Sequence, residues 1–311
     1  MSLKTILSSN LLSKNMVSSS MIRTMSSKII PTSSTENNFK CLSVAVPKPF
    51  VYHVQLNRPD KYNAINKQMW VDIKDCFESL SMNPDCRVVV ISAEGKHFTA
   101  GIDLNDMMQL AQELAEIEEV SRKGCALEKL IKLYQDSISS LEVCNKPVIS
   151  AVHSACIGAG VDLITASDIR YCTKDAMFQV KEVEIGMAAD VGTLQRFPKV
   201  INSQSLAREL CLTGRKFLSD EAKSCGLVSK VFENKDEMIK TALSLAEDLA
   251  SKSPIAVQAT KKNIIYSFDR PNQEGLDQIR EMNKLYLQSE DFINATMAQL
   301  TKGEIPTFSK L

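Results

Sequence analysis

Two stretches of the chain share one signature, and it limits the fold more than any other feature. Residues 87–92 (RVVVIS) and 147–152 (PVISAV) are short, almost unbroken runs of apolar and β-branched residues. Runs of this length, bounded by turn signals, read as strands covered on both faces. Each is followed by a small-residue turn: Thr99-Ala100-Gly101-Ile102-Asp103-Leu104 after the first, Gly158-Ala159-Gly160-Val161-Asp162-Leu163 after the second. Helical spacing resumes after each turn. The chain is therefore predicted to be α/β, with repeated strand–helix units.

The rest of the chain extends the pattern. Residues 41–56 read as two strands joined by a turn near Pro47 and Pro49, closed by Arg58-Pro59-Asp60, and residues 67–80 place Met69, Trp70, Ile73, Phe77 and Leu80 at helical spacing. Residues 103–143 form a long, heavily charged helical stretch, predicted to break near Gly124. Further strands are expected at 169–172, 177–180 and 227–232, and helices at 237–252, 256–267, 273–288 and 291–300. This gives a repeating core over residues 36–235 and a helical region over 236–311. The amphipathic tail helices could serve core packing or subunit contacts equally well. The pair Lys261-Lys262 reads as a solvated helix face, with a phosphate contact as the alternative.

Composition excludes several classes. Thirty-seven basic residues balance thirty-seven acidic ones, so no global field favours nucleic acid or an anionic membrane. Nine cysteines without a C-x-x-C pair argue for reduced, mostly buried thiols, and His53, His97 and His153 are too dispersed for a metal cluster. No apolar run is long enough to span a membrane. Residues 1–35 hold Lys4, Lys14, Arg23, Lys28 and eleven serines, with no acid before Glu36; this is the composition of a disordered organelle presequence. The chain finishes Ser309-Lys310-Leu311, a peroxisomal address. Mitochondrion, peroxisome or both are expected.

The chemistry is concentrated in the two turns and three acids. Proton transfer beside a thioester carbonyl needs a base at the α-carbon and fixed N–H donors at the oxygen where charge develops. Ala100-Gly101 and Gly158-Ala159-Gly160 let the backbone approach a ligand, the second at a helix start whose dipole favours negative charge. A dinucleotide fingerprint is excluded because Leu163 stands where the third glycine belongs, and no G-x-S-x-G elbow is present. Asp162 lies in the first helical turn, Glu182 follows an apolar strand, and Asp190 sits within Gly186-Met187-Ala188-Ala189-Asp190-Val191-Gly192. Their apolar neighbours predict raised pKa values, and the three are expected to pack between His153 and Arg196. The plainer alternatives are a helix cap for Asp162 and surface positions for the other two.

The segments F-T-A-G-I-D-L, H-S-A-C-I-G-A-G-V-D-L, D-I-R-Y-C, Q-V-K-E-V-E-I-G and G-T-L-Q-R resemble the enoyl-CoA hydratase/isomerase, or crotonase, superfamily over roughly residues 40–300. The resemblance implies a crotonase-like spiral of repeated ββα units with a C-terminal helical trimerisation region, and a homotrimer or homohexamer. It implies an oxyanion hole at the N–H groups of Ile102 and Ala159, with Gly160 beside it. Ala100, Gly101, Ile102, Asp103 and Leu104 would line the acyl-CoA. No cofactor is implied, coenzyme A being part of the substrate. Hydratases carry glutamates at the positions of Asp162 and Glu182 and glycine at that of Asp190. The third acid points instead to the branch that moves the double bonds of a 3,5-dienoyl-CoA into 2,4-conjugation. The alternatives are a 2-enoyl-CoA hydratase and, in another class, a non-catalytic RNA-binding or scaffold member.

Overall fold

The computed structural model describes residues 39–304 and 306–311; the expected presequence, residues 1–35, lies outside them. The strands are Leu42–Lys48 (β1), Val51–Leu56 (β2), Val88–Ala93 (β3), Val148–Val152 (β4), Ala155–Ile157 (β5), Ile169–Thr173 (β6), Met177–Gln179 (β7), Phe217–Leu218 (β8) and Lys230–Phe232 (β9). The helices are Lys67–Met82 (α1), Leu104–Ala115 (α2), Val120–Val143 (α3), Ala159–Thr165 (α4), Thr193–Val200 (α5), Gln204–Thr213 (α6), Ser219–Ser224 (α7), Lys235–Ala250 (α8), Pro254–Ser267 (α9), Asn272–Tyr286 (α10) and Glu290–Thr301 (α11).

Both buried runs lie inside a six-stranded sheet ordered β1-β2-β3-β4-β6-β9, parallel except for the β1–β2 hairpin. Alternation along β3 shows why the run has no polar face. Val89 and Ile91 enter one core, with Trp70 and Phe77 of α1, while Val88 and Val90 enter the other, against α8. Helix α8 presents Met238, Ala242, Ala246 and Ala250 at four-residue intervals, all buried. Three alanines on that stripe let the helix lie close to the sheet.

A second, three-stranded sheet, β5-β7-β8, receives the chain as it leaves the first. The repeat is now visible: β4 passes to β5 and then α4, and β6 passes to β7. After β3 the chain makes the same move with a single bridge, Thr99 to Cys156, before α2. The crotonase-like α/β fold is thus built from strand pairs split between two sheets.

Two local expectations are corrected and one left open is resolved in part. The long helical stretch is interrupted at residues 116–119, and α3 runs through Gly124. A glycine in a helix costs only about 1 kcal/mol, whereas Glu119 starts α3 firmly, its carboxylate accepting from Ser121 N–H (3.0 Å) and Arg122 N–H (2.8 Å). Lys261 is not on a solvated face: it is buried, its ammonium 2.8 Å from Asp168 Oδ2 and donating to Leu141 O (3.1 Å) and Lys146 O (3.0 Å). The tail helices divide, α8 packing the core while α11 buries no residue and leaves Phe292, Ile293, Met297 and Leu300 exposed. All nine cysteines are free and all but Cys125 are buried. At the C-terminus Arg87 donates to Phe308 O (2.6 Å) and Ser309 O (3.2 Å), holding the last residues against the body. Among the described residues no helix is long and apolar enough to cross a membrane.

The Lys261 ammonium ties α9 to the end of α3 and to the residues just before β4 and β6 through three acceptors. Lys261→Met should lower the unfolding free energy by about 2 kcal/mol, because two carbonyls lose a charged donor. The loss stays below that of a fully buried broken pair because Asp168 keeps contact with water. Urea unfolding of the two proteins checks this.

Candidate active site

The two small-residue turns meet. Thr99 N–H donates to Ala155 O (3.0 Å) and Ile157 N–H to Thr99 O (3.2 Å), so the turn after β3 lies along β5. The contact leaves no room for a side chain at Gly101 or Gly160. A Cβ at Gly160 would fall 2.3 Å from Thr99 Cγ2, and one at Gly101, whose φ is +92°, would fall 2.9 Å from Ile157 O. Asn63, buried at φ +54°, braces the first turn from behind: its amide donates to Glu94 O (2.8 Å) and His97 O (3.0 Å), and Thr99 Oγ1 donates to its carbonyl (2.6 Å).

Around these turns four donors are satisfied, while those of Ile102 and Ala159 are open. Gly101 N–H donates to Thr99 Oγ1 (3.1 Å), Asp103 N–H to Ile65 O (3.0 Å), Gly158 N–H to Gln179 O (2.8 Å) and Val161 N–H to Gly158 O (2.7 Å). Ile102 N–H and Ala159 N–H have no such partner among the described residues, and both residues line one cavity of about 450 Å³. Ala159 begins α4 without a positive φ, so its methyl group does not disturb the N–H.

The cavity places the acids differently. Glu182 and Asp190 line it; Asp162 lies behind, with no exposed surface. Glu182 Oε1 is 3.0 Å from where a Cβ of Gly158 would stand, beside the second turn. Its Oε2 is buried with no hydrogen-bond partner among the described residues. Burial raises Glu182 above its ordinary pKa, main-chain N–H groups at 181 and 182 oppose the rise, and the charge of Asp190 adds to it. Burial likewise raises Asp190. Asp162 Oδ1 accepts from Thr193 N–H at the start of α5, and its Oδ2 has no partner. Its carboxyl is pushed up to about 7, chiefly by burial and further by Glu182, against the pull of Thr193 and Arg196. A proton can therefore reside on Asp162 near neutrality, and the shifts at Glu182 and Asp190 run in the same direction.

Three expected contacts fall elsewhere. His153 does not flank the acids: its Nε2–H donates to Gly95 O (3.0 Å), while Arg196 does face Asp162 but is held by Glu142 and Ser139. Asp103 turns from the cavity, its carboxylate capping α2 by accepting from Asn105 N–H (3.1 Å) and pairing with Arg58 (3.1 Å). Gly160 packs under the turn and is not part of the cavity wall. Ala100, Gly101, Ile102, Leu104 and Ala159 do line it.

The apolar end of the cavity had no marker in the sequence. Trp70 and Tyr134 stack there (ring centres 4.5 Å apart, planes at 19°), with Leu110, Leu127 and Ile131 from α2 and α3. The spacing of Trp70 showed only an inward face of α1, and which cavity that face meets depends on α3. Lys61, Lys67 and Lys181 also border the cavity.

Comparison with known proteins bears on this geometry. A family model described as enoyl-CoA hydratase/isomerase matches residues 48–307. The "Delta(3,5)-Delta(2,4)-dienoyl-CoA isomerase, mitochondrial" of Rattus norvegicus is 49% identical over 289 residues, which cover 92% of this chain and 88% of that protein. The "Delta(3,5)-Delta(2,4)-dienoyl-CoA isomerase, peroxisomal" of Arabidopsis thaliana is 42% identical over 261 residues, 84% of this chain and 93% of that one. Among solved structures, an enoyl-CoA hydratase from Bacillus anthracis superposes with a TM-score of 0.77 at 25% identity, covering 87% of this chain and 99% of its own.

The raised Asp162 pKa has a consequence for stability. The carboxyl titrates near 7 when folded and near its ordinary 3.8 when unfolded, so between those values the folded state binds more protons. Its contribution is complete below about pH 4 and is lost as pH rises through 7. Asp162→Asn removes the titration, so its stability relative to the unmodified protein should rise from pH 4 to pH 8, by at most about 4 kcal/mol. Denaturant unfolding across that range checks the sign, and a pH-independent difference would contradict it.

Proposed function

The chain belongs to the enoyl-CoA hydratase/isomerase family, and from that premise we propose that it isomerises 3,5-dienoyl-CoA to 2,4-dienoyl-CoA in the oxidation of unsaturated fatty acids. One observation carries the reading: Glu182 and Asp190, both with raised pKa, line the same cavity as two open backbone N–H groups. The thioester oxygen accepts from Ile102 N–H and Ala159 N–H. Glu182, as carboxylate, removes a proton from C2, and the electron pair spreads over the dienolate toward the thioester oxygen and C6. Asp190, as carboxylic acid, gives its proton to C6, leaving double bonds at C2–C3 and C4–C5. The two acids then exchange protonation states for the next turnover.

Each part has a physical reason. Donors fixed in a water-poor site stabilise developing negative charge without reorganising, and one such donor is worth about 3 kcal/mol. The Asp162 carboxyl supports Glu182 electrostatically, since two neighbouring buried carboxyls resist ionising together. Lys61, Lys67 and Lys181 suit the phosphates of coenzyme A, which arrives with the substrate, and no further cofactor takes part. The apolar residues left open on α11, with Leu276 and Leu285 of α10, suit assembly as a trimer or hexamer. Relatives named mitochondrial and peroxisomal support work in either compartment.

With a 3,5-dienoyl-CoA, the protein should generate the ultraviolet absorbance of the conjugated 2,4-dienoyl product. Glu182→Gln and Asp190→Asn should each slow it by about 10² to 10⁴. No chromophore, or full rates in both variants, would overturn the reading. Faster hydration of a simple 2-enoyl-CoA would replace it with that of a hydratase.

A further inference from the structure

The acid assigned to C6 is held in an unusual way. Along residues 188–191 no main-chain N–H has a carbonyl partner among the described residues, the nearest such bonds being Met187 N–H to Glu182 O (3.1 Å) and the first turn of α5. Among the described residues the Asp190 carboxyl has no partner from another residue's side chain. Its direction therefore depends on where its own main chain is pinned. One side chain does this: Gln135 of α3, whose amide donates to Asp190 O at 2.7 Å.

Gln135 begins a stripe. Ser139 and Glu142 follow at i+4 and i+7, on the same face of α3. Arg196 donates to Ser139 Oγ (2.9 Å) and, through Nε and Nη2, to Glu142 Oε2 (3.1 and 2.8 Å). Arg196 belongs to α5, the helix whose first N–H holds Asp162. Between the two anchors Gly192, at φ +139°, has no room for a Cβ, which would meet Arg196 Nη1 at 2.0 Å. One helix face thus grips both ends of the segment that carries Asp190 and the donor to Asp162. The same helix lines the apolar end of the cavity with Leu127, Leu130, Ile131 and Tyr134.

We propose that Gln135 is a positioning residue that sets the Asp190 carboxyl against the distal carbon of the substrate. The inference rests on the isomerase reading given above. Its signature is a partition. A dienolate formed by Glu182 either regains a proton at C2, returning substrate, or receives one at C6, giving product. Loosening Asp190 impairs the second path and leaves the first.

The test is turnover of a 3,5-dienoyl-CoA in D₂O, with deuterium at C2 of recovered substrate measured beside product formation. In Gln135→Met, which removes the N–H donor and keeps the side chain's length, kcat should fall about 10- to 100-fold with KM little changed, because small misplacement of a reacting group costs that much. The ratio of C2 exchange to isomerisation should rise about tenfold or more by the same reasoning. Gln135→Lys, which restores a donor, should bring the ratio back toward that of the unmodified protein. If the methionine variant does not fold, Gln135→Glu, equal in shape and lacking N–H, should shift the ratio in the same direction. An unchanged ratio, or exchange and isomerisation falling in parallel, overturns the positioning role while the isomerase reading stands. No isomerisation by the unmodified protein overturns both.

Discussion

Beside the cavity two segments of backbone lie so close that each needs a glycine at the contact. Gly160 packs on Thr99, and Gly101 packs on the Ile157 carbonyl. The approach depends on both sheets. The turn after β3 is tied to β5 by two main-chain hydrogen bonds, β5 is tied to β7 in the small sheet, and β3 and β4 are neighbours in the large one. Only with all of these in register do the open N–H groups of Ile102 and Ala159 border one cavity. The placement of these two N–H groups is therefore a property of strand pairing, and glycine at 101 and 160 is its steric condition.

The acids obey a second constraint. Three carboxyls gathered in an apolar setting cannot all ionise at low cost: burial raises each of them, and a neighbouring carboxylate raises Asp162 and Glu182 further. A base and an acid that are both carboxyls can then serve one reaction, one ionised and its neighbour protonated. Asp162, out of reach of a ligand, completes the set through its charge and its bond to Thr193. Its plainer sequence reading as a cap is half true, except that the N–H it engages starts a different helix.

The chain disclosed its local order well and its long-range contacts poorly. Uninterrupted apolar runs announced β3 and β4, and small residues announced the turns, because strand burial and backbone clearance act through residues adjacent in sequence. Lys261 was misread for the opposite reason: helical spacing gives a face but not what the face meets, and here it meets Asp168 and two carbonyls far away in the chain. Asp103 shows the same limit: its place after Gly-Ile suggests ligand contact, and Arg58, which follows the hairpin, pairs with its carboxylate. The break expected at Gly124 weighed a mild glycine penalty above the capping strength of Glu119.

The same division separates the parts of the reaction. The open N–H groups of Ile102 and Ala159, and Glu182, sit at the ends of strands that the repeating fold itself positions. Asp190 sits on a segment that no strand pairs, anchored by side chains of α3. A water-adding site and a double-bond-shifting site can thus share one scaffold and differ in a loop. What the loop acid can do is then decided by the helix that holds it, because a carboxylic acid transfers a proton only to an atom within hydrogen-bond reach. Helix α3 reaches from the apolar end of the cavity to the anchors of Asp190 and Arg196. The element that lines the apolar end of the cavity is consequently also the element that anchors the segment carrying Asp190.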